Sequence, residues 1–188
     1  MACALLLACL LSLFLFTAGC GEEQTGPTED GSTEPARSGN DIPLATLAQG
    51  IYSEYGRFDE MPVPEDAPPE CLVITDEEEF DRFISMALLQ EEIYEVDFES
   101  EVVIAAMQGP KNTGGFAISI MHASQADSEV RVEIEVIEPD PESMTVQVLT
   151  SPYHLVKAER ADFSPLGPLN FTFVDQNDDQ LCQQPVEI

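Results

Sequence analysis

Side chains that could serve as a general base or a nucleophile are few in this chain. His122 and His154 are its two histidines, and Ser151 stands three residues before His154, a spacing that offers no geometry for activating a hydroxyl. His122 shares the alternation of Ile120, which predicts a partly buried structural histidine. Sequence motifs of serine hydrolases, zinc proteases and phosphate-binding loops do not occur. We predict no catalytic residue, and an enzyme is the third of three hypotheses.

The acidic stretch near the end of the chain begins like a calcium-binding loop. Oxygen-bearing side chains stand at its first, third and fifth positions, Asp175, Asn177 and Asp179. The sixth position, which needs glycine, is Gln180, and the twelfth, which needs glutamate, is Val186. The sequence therefore predicts a solvated acidic tail and no metal site.

The first nineteen residues form an apolar run without a charged side chain and end in small residues before Cys20. Such a run is typical of an export signal, and small residues directly before a cysteine resemble a bacterial lipobox. We predict a signal peptide at 1–19, cleavage before Cys20 and lipid attachment to it. An uncleaved membrane anchor is the alternative, and a second lipobox-like match, at Cys9, would leave too short a signal.

Residues 20–43 are rich in Pro, Gly, Ser, Thr and Glu and cannot bury much surface. They predict a flexible acidic tether between the lipid and a folded domain over residues 44–188. The expected location is the cell envelope, with the protein lipid-anchored to a bacterial membrane and exported.

Two of the five cysteines belong to the folded domain. Cys3 and Cys9 leave with the signal and Cys20 takes the lipid, so Cys71 and Cys182 remain. An even pair in an exported domain predicts a disulfide between them, and two unpaired thiols are the alternative. Their separation, without a Cys-x-x-Cys pair, argues against zinc or redox chemistry.

The charge balance excludes two classes of partner. Seven Lys and Arg residues stand against 36 Asp and Glu residues, a formal net charge of −29 at pH 7. A nucleic-acid backbone repels such a chain, and attachment to anionic lipid through a basic patch is excluded for the same reason. Adaptation to high salt, or solubility alone, also accounts for the acidity. The 188 residues fit one domain with a tail.

One strong helix is predicted to begin at Thr75. Thr75 and Glu78 have the spacing of a capping box. Apolar residues then follow at helical spacing, at Phe80, Phe83, Ile84, Ala87 and Leu88. This stripe predicts a helix packed on the rest of the domain.

Beyond that helix the apolar period changes to two, which indicates β-strands. The predicted strands lie at 44–52, 71–74, 102–107, 116–121, 130–136, 144–148, 155–156 and 169–174. Short turns between consecutive strands favour antiparallel pairing. We expect a mainly β domain, an antiparallel sandwich or partly open barrel with the single α-helix packed on the sheet.

The stretch from Gly109 to Phe116 is predicted to be a turn between two of these strands. Its adjacent glycines, Gly114 and Gly115, permit a positive φ and the close approach of another backbone. A plain hairpin turn is one interpretation. Lys111 stands out in a domain of strongly negative charge, so a loop presented to a partner is the other.

Four stretches of the folded part resemble the PrcB-type family of protease-complex subunits. Residues 109–120 resemble the family's glycine-pair hairpin, and residues 150–157 resemble its second block. Residues 96–98 with 102–104 resemble the strand that precedes the hairpin, and residues 47–53 resemble the opening segment. The likeness covers residues 44–174. It implies an exported, non-catalytic lipoprotein domain without a cofactor, related to a subunit that associates with and stabilises a secreted protease.

Two of these segments supply the candidate protein-binding residues. They are Lys111, Asn112, Thr113, Gly114, Gly115 and Phe116 in the first, and Ser151, Pro152, Tyr153 and His154 in the second. Loops from neighbouring strand ends can meet at one edge of a sandwich, where binding loops usually lie. The sequence therefore predicts one protein-contact surface, with a secreted protease as the candidate partner.

A protease inhibitor is the alternative function. The stretch 112–116 is faintly similar to the glycine-containing wedge loop of chagasin-type cysteine-protease inhibitors, which have an immunoglobulin-like sandwich. The partner loop of that family contains Trp, and this chain has none. An inhibitor lowers protease turnover, whereas an accessory subunit does not.

Overall fold

The computed structural model describes residues 39–55, 64–89, 93 and 96–188. The predicted signal at 1–19, the predicted lipid site at Cys20 and the tether up to residue 38 lie outside the described residues. No helix in the described ranges is long and apolar enough to span a bilayer. Asn40 and Asp41 already form a strand and Ile42 is buried, so the folded domain begins before the predicted residue 44.

The described residues form nine strands and a single α-helix. The strands are β1 (Asn40–Asp41), β2 (Ala45–Gly50), β3 (Glu70–Ile74), β4 (Glu101–Met107), β5 (Ala117–Ala126), β6 (Glu129–Ile137), β7 (Tyr153–Glu159), β8 (Pro168–Val174) and β9 (Gln180–Glu187). Helix α1 spans Glu77–Ala87, and a 3₁₀ turn spans Arg160–Asp162. The expectation of a mainly β fold with one helix is confirmed.

The strands make two open sheets that pack face to face. One has the order β1-β5-β6-β8-β9 and the other the order β2-β7-β4-β3. All pairs are antiparallel except β6 with β8, which is parallel and joins two strands that are not consecutive in the chain. Strands β4 and β5 lie in different sheets. The segment between them is therefore a crossover, and the predicted hairpin turn at 109–116 is wrong.

Two apolar clusters divide the fold into three layers. The cluster between the sheets contains alternate residues of β4 and β7, such as Ile104 and Val156, together with Phe171 and Phe173 of β8. The other alternate residues of β4 and β7, including Leu155, face α1 and meet Phe83 and Ala87. A central strand that is covered on both faces is buried along its length, and its sequence is therefore a nearly continuous apolar run. Strand β4 is such a strand, since all seven of its residues are buried.

The N-cap of the helix lies one residue later than predicted. Asp76 is the N-cap, and its carboxylate accepts a hydrogen bond of 2.8 Å from the backbone N–H of Glu79. The predicted capping box of Thr75 and Glu78 is wrong, because the Thr75 carbonyl is held outside the helix by the Arg160 guanidinium at 2.7 Å. Leu88, predicted to be part of the buried stripe, is the C-cap in a left-handed conformation and is exposed.

The last part of the chain forms a strand that the sequence analysis missed. Residues 180–187 pair with β8 as β9, and the predicted acidic tail is instead the turn that precedes it. The Asp175 carboxylate accepts hydrogen bonds from the backbone N–H groups of Asn177 and Asp179, at 2.8 and 2.9 Å. The spaced acidic residues of this stretch therefore serve a turn between two strands.

Side chains join the sheets along one open seam. On the β2 side, the carbonyl of Ile118 in β5 accepts a hydrogen bond of 3.2 Å from the Gln49 amide. The N–H of Ile120 donates to Nδ1 of His154 in β7 at 2.8 Å. These bonds satisfy the part of the β5 edge that lies beyond its pairing with β1.

The opposite seam lies between the edge strands β3 and β9. Here the side-chain amide of Gln184 takes the place of a paired strand. Its oxygen accepts from the N–H of Val73 at 3.0 Å, and its nitrogen donates to the Val73 carbonyl at 3.4 Å. Both open edges are thus covered by side chains of the facing sheet.

Candidate functional site

The two predicted binding segments meet at one end of the sandwich. The ladder between β4 and β7 continues beyond the sheet, where Lys111 and Thr150 form an antiparallel bridge with N–H···O distances of 2.7 and 2.9 Å. Further along, the N–H of Gly114 donates to the carbonyl of Val146 at 2.9 Å. The Thr150 hydroxyl donates to the Thr113 carbonyl at 2.9 Å. The two segments therefore lie side by side, and their role as one protein-contact surface stays a prediction.

The outer part of this ladder is the candidate site, which we call the platform and define as residues 112–116 and 144–149. Neither segment contains a charged residue, in a chain with 36 acidic ones. The side chains of Met144, Val146 and Leu149 are 102%, 73% and 54% exposed. The platform is therefore an uncharged and partly apolar surface on an acidic protein.

The second predicted segment lies inside the fold. Ser151, Pro152, Tyr153 and His154 are all buried. The N–H of Ser151 donates to the carbonyl of Ile51 at 2.9 Å, as a continuation of the pairing between β2 and β7. These four residues belong to the interior, and the exposed surface is formed by the residues just before them.

Lys111 is also enclosed, contrary to the prediction of a presented lysine. Its side chain is 4% exposed, and its ammonium group donates to the carbonyl of Glu65 and lies 5.3 Å from the centre of the Phe116 ring. The Asn112 amide donates to the Glu65 carboxylate. The charge of the loop is thus taken up by the preceding segment of the same chain and by an aromatic face.

The glycine pair has the conformational role that was predicted for it. Gly115 has φ +98°, a region that favours glycine, and a Cβ placed on it would lie 3.0 Å from Pro139. Gly114 lies against Val148 and pairs with Val146. The two glycines let the crossover turn closely over the segment that follows β6.

His154 is a structural residue that joins β7 to the facing sheet. Because Nδ1 accepts from the N–H of Ile120, the neutral ring carries its proton on Nε2, which then donates to the Thr46 hydroxyl at 3.1 Å. Burial lowers the pKa of His154 from the ordinary histidine value. The geometry is that of a bridge between sheets, and the other histidine, His122, is half-buried beside Asp41 at 3.0 Å.

We expect acid to weaken this bridge. Since the pKa of His154 is lower in the fold than in the unfolded chain, its contribution to stability is complete above about pH 6.5 and is lost as the pH falls towards its folded pKa. Urea unfolding between pH 7.5 and 5 should show that the free energy of unfolding falls more steeply with decreasing pH for the wild type than for His154→Gln. The two slopes should differ by at most about 1.4 kcal/mol per pH unit, the limit for one proton. Equal slopes would contradict the assigned bridge.

The two cysteines of the domain lie against each other at the other seam. Cys71 of β3 and Cys182 of β9 are free thiols in hydrogen-bond contact. The hydrogen bond with Cys182, together with burial, raises the pKa of Cys71. The same bond lowers the pKa of Cys182. The predicted disulfide between them stays a prediction, now with its two partners side by side.

Comparison with known proteins adds one finding. Residues 102–159 match the family model described as PrcB C-terminal. The match confirms the predicted resemblance for this segment, which is less than a third of the chain and contains both halves of the platform. No curated protein and no solved structure matches the chain.

The exposed half of the platform was not among the predicted binding residues. The alternation of Met144, Val146 and Val148 predicts a strand at 144–148, but that prediction is wrong, because these residues form no strand in the structure. The absence of charged residues in two stretches of a highly acidic chain is a sequence signal that could have identified the site. The stretches 112–116 and 144–149 carry no charge, although acidic residues are frequent elsewhere in the chain.

Proposed function

We propose that this protein is a non-catalytic accessory subunit of the cell envelope, which binds and stabilises a secreted protease through the platform. The observation that carries the proposal is the position of the platform. It lies wholly within the segment that matches the PrcB C-terminal model, a family whose resemblance implies a role in a protease complex.

The chemistry of the platform supports a protein partner. The buried centres of protein interfaces are depleted of charge and enriched in apolar side chains, and exposed apolar clusters mark interaction sites. Met144 and Val146 are exposed on the platform, whereas the flanking turn from Glu138 to Glu142 is acidic. An uncharged centre with a charged border has the composition of a protein-binding surface.

The proposed location rests on the predicted lipid. A lipidated Cys20 would hold the chain at a bacterial membrane, and residues 21–38 would give the domain reach into the aqueous space. In that location the platform can meet an exported protease. Mass spectrometry of the protein purified from membranes tests the anchor, because an unmodified Cys20 would remove it from the proposal.

Deletion of the gene followed by complementation tests the function. We expect the proteolytic activity of the exported fraction to fall several-fold on deletion and to be restored by the wild type and by Leu166→Asp, but not by Val146→Asp. Both substitutions place a carboxylate at an exposed apolar position. Leu166 lies away from the platform. The carbonyl of its neighbour Pro165 accepts a hydrogen bond from Gln125, which lies near the end of β5 that is remote from the platform.

The direction in which proteolytic activity changes on deletion distinguishes the accessory subunit from the protease inhibitor. A rise in proteolytic activity on deletion would replace the accessory subunit by the protease inhibitor. Unchanged activity would contradict both. The stability of each variant, measured by thermal unfolding, shows whether a failure to complement reflects lost binding or lost folding.

A further inference from the structure

One segment of the platform has the sequence of a strand but no strand partner on its outer side. In 144–149, the apolar residues Met144, Val146 and Val148 alternate with Thr145 and Gln147, and Thr and Val are favoured in strands. The structure leaves the segment without a strand assignment and exposes Met144 and Val146. Disagreement between local preference and the observed state is expected at functional sites.

The backbone of this segment is almost entirely unpaired. Among the described residues, no hydrogen-bond partner is found for the N–H groups from Met144 to Leu149, and the Val146 carbonyl is the one carbonyl in the segment that accepts a backbone bond. Backbone groups without a hydrogen-bond partner in the fold offer donors and acceptors to another chain.

The direction of the paired groups shows which ones face outward. Val146 and Thr150 both bond to the 111–114 segment, at Gly114 and Lys111. In an extended chain, successive residues point their backbone groups to opposite sides. The even positions therefore face the crossover. The N–H and carbonyl groups of Thr145, Gln147 and Leu149 form an open edge on the other side.

We propose that this edge binds its partner by strand addition, taking an extended, uncharged or basic segment of the partner protein as the next strand. The inference rests on the proposed function and specifies how the platform recognises its partner. Main-chain hydrogen bonds supply affinity in this mode and alternate side chains supply specificity. Met144, Val146 and Leu149 provide the apolar contacts.

Charge decides which segment fits. The edge itself carries no charge, but the chain has a net charge of −29, so an acidic segment or a second copy of this chain would be repelled over the whole encounter. A neutral strand with basic ends would be attracted. Because its own outer edge would then be paired, the 144–149 segment would become a regular strand.

A synthetic peptide of alternating threonine and valine with a lysine at each end is the probe. Added to the full chain in detergent, it should slow amide hydrogen exchange at Thr145, Gln147 and Leu149 and leave Val146 and Val148 unchanged. This alternation is specific to strand pairing, since an apolar contact alone would not select every second amide. The same peptide N-methylated at its six central residues should give no protection.

A matched pair of substitutions tests the backbone directly. Gln147→Pro removes one outward N–H, and Gln147→Ala keeps it while removing the same side chain. We expect about a ten-fold loss of peptide affinity for the proline variant and less than about a three-fold change for alanine. Absence of peptide binding, uniform protection or equal affinities would overturn strand addition. Self-association lost in Gln147→Pro would assign the edge to a second copy and overturn it as well.

The complementation assay keeps this inference distinct from the proposed function. If Gln147→Pro restores exported proteolytic activity as well as Gln147→Ala does, the accessory role stands and strand addition is wrong. If even the wild type restores no activity, the proposed function fails, and the peptide experiment still decides whether the edge accepts a strand.

Discussion

Reduction of the exported protein is expected to lower its free energy of unfolding by about 4 kcal/mol. Cys71 and Cys182 are 111 residues apart in sequence and in hydrogen-bond contact in the fold, so a bond between them closes a long loop and restricts the unfolded chain strongly. Thiol–disulfide exchange with a disulfide donor, which is reduced in turn, would form it. Urea unfolding with and without a reductant measures the difference.

The effect should be large because of where the bond lies. It would join β3 to β9, the edge strands that are otherwise joined by the Gln184 amide. The control is Cys71→Ala/Cys182→Ala, whose unfolding midpoint should not respond to the reductant. An equal midpoint for the wild type with and without reductant, or two thiols that react with alkylating reagent in the exported protein, would contradict the disulfide.

Phe171→Ala should destabilise the domain by about 3–5 kcal/mol, as do other truncations of large buried aromatic residues. Phe171 is fully buried between the two sheets, with ring centres 5.9 Å from Phe163 and 6.5 Å from Phe173. Strand β8 itself is paired on both sides, with β6 and β9, and is not free to move inward and close the cavity. Phe171→Leu keeps most of the volume and should have a much smaller effect in the same urea titration. A loss below about 1 kcal/mol for alanine would show that the sheets repack.

The strands of the sheet interior could be predicted because burial imposes a period on their residues. Val130, Val132 and Ile134 alternate with charged residues, and the structure places them in the core. Strand β9 was missed because its residues have no such alternation, and only Val186 among them is buried. Its place depends on pairing with β8, which is a long-range property that local sequence does not encode.

The candidate site was predicted in part. The sequence predicts that loops from neighbouring strand ends meet at one edge of the sandwich, but it does not predict how deeply each side chain is buried. Polar residues such as Ser151 and His154 are usually exposed. Here Ser151 bonds to the Ser53 hydroxyl at 2.8 Å and His154 bridges two sheets. Buried hydrogen-bond partners, which come from distant parts of the chain, made these residues structural.

Site-specific photo-crosslinking from the platform tests the central claim most directly. A photoreactive residue at position 146 of the full chain, irradiated in the organism that produces it, should crosslink to an exported protease, and the same residue at position 166 should not. Both positions are exposed and apolar, so they differ in location alone. Equal capture of the protease from both positions, or crosslinks from position 146 to proteins other than a protease, would contradict the account.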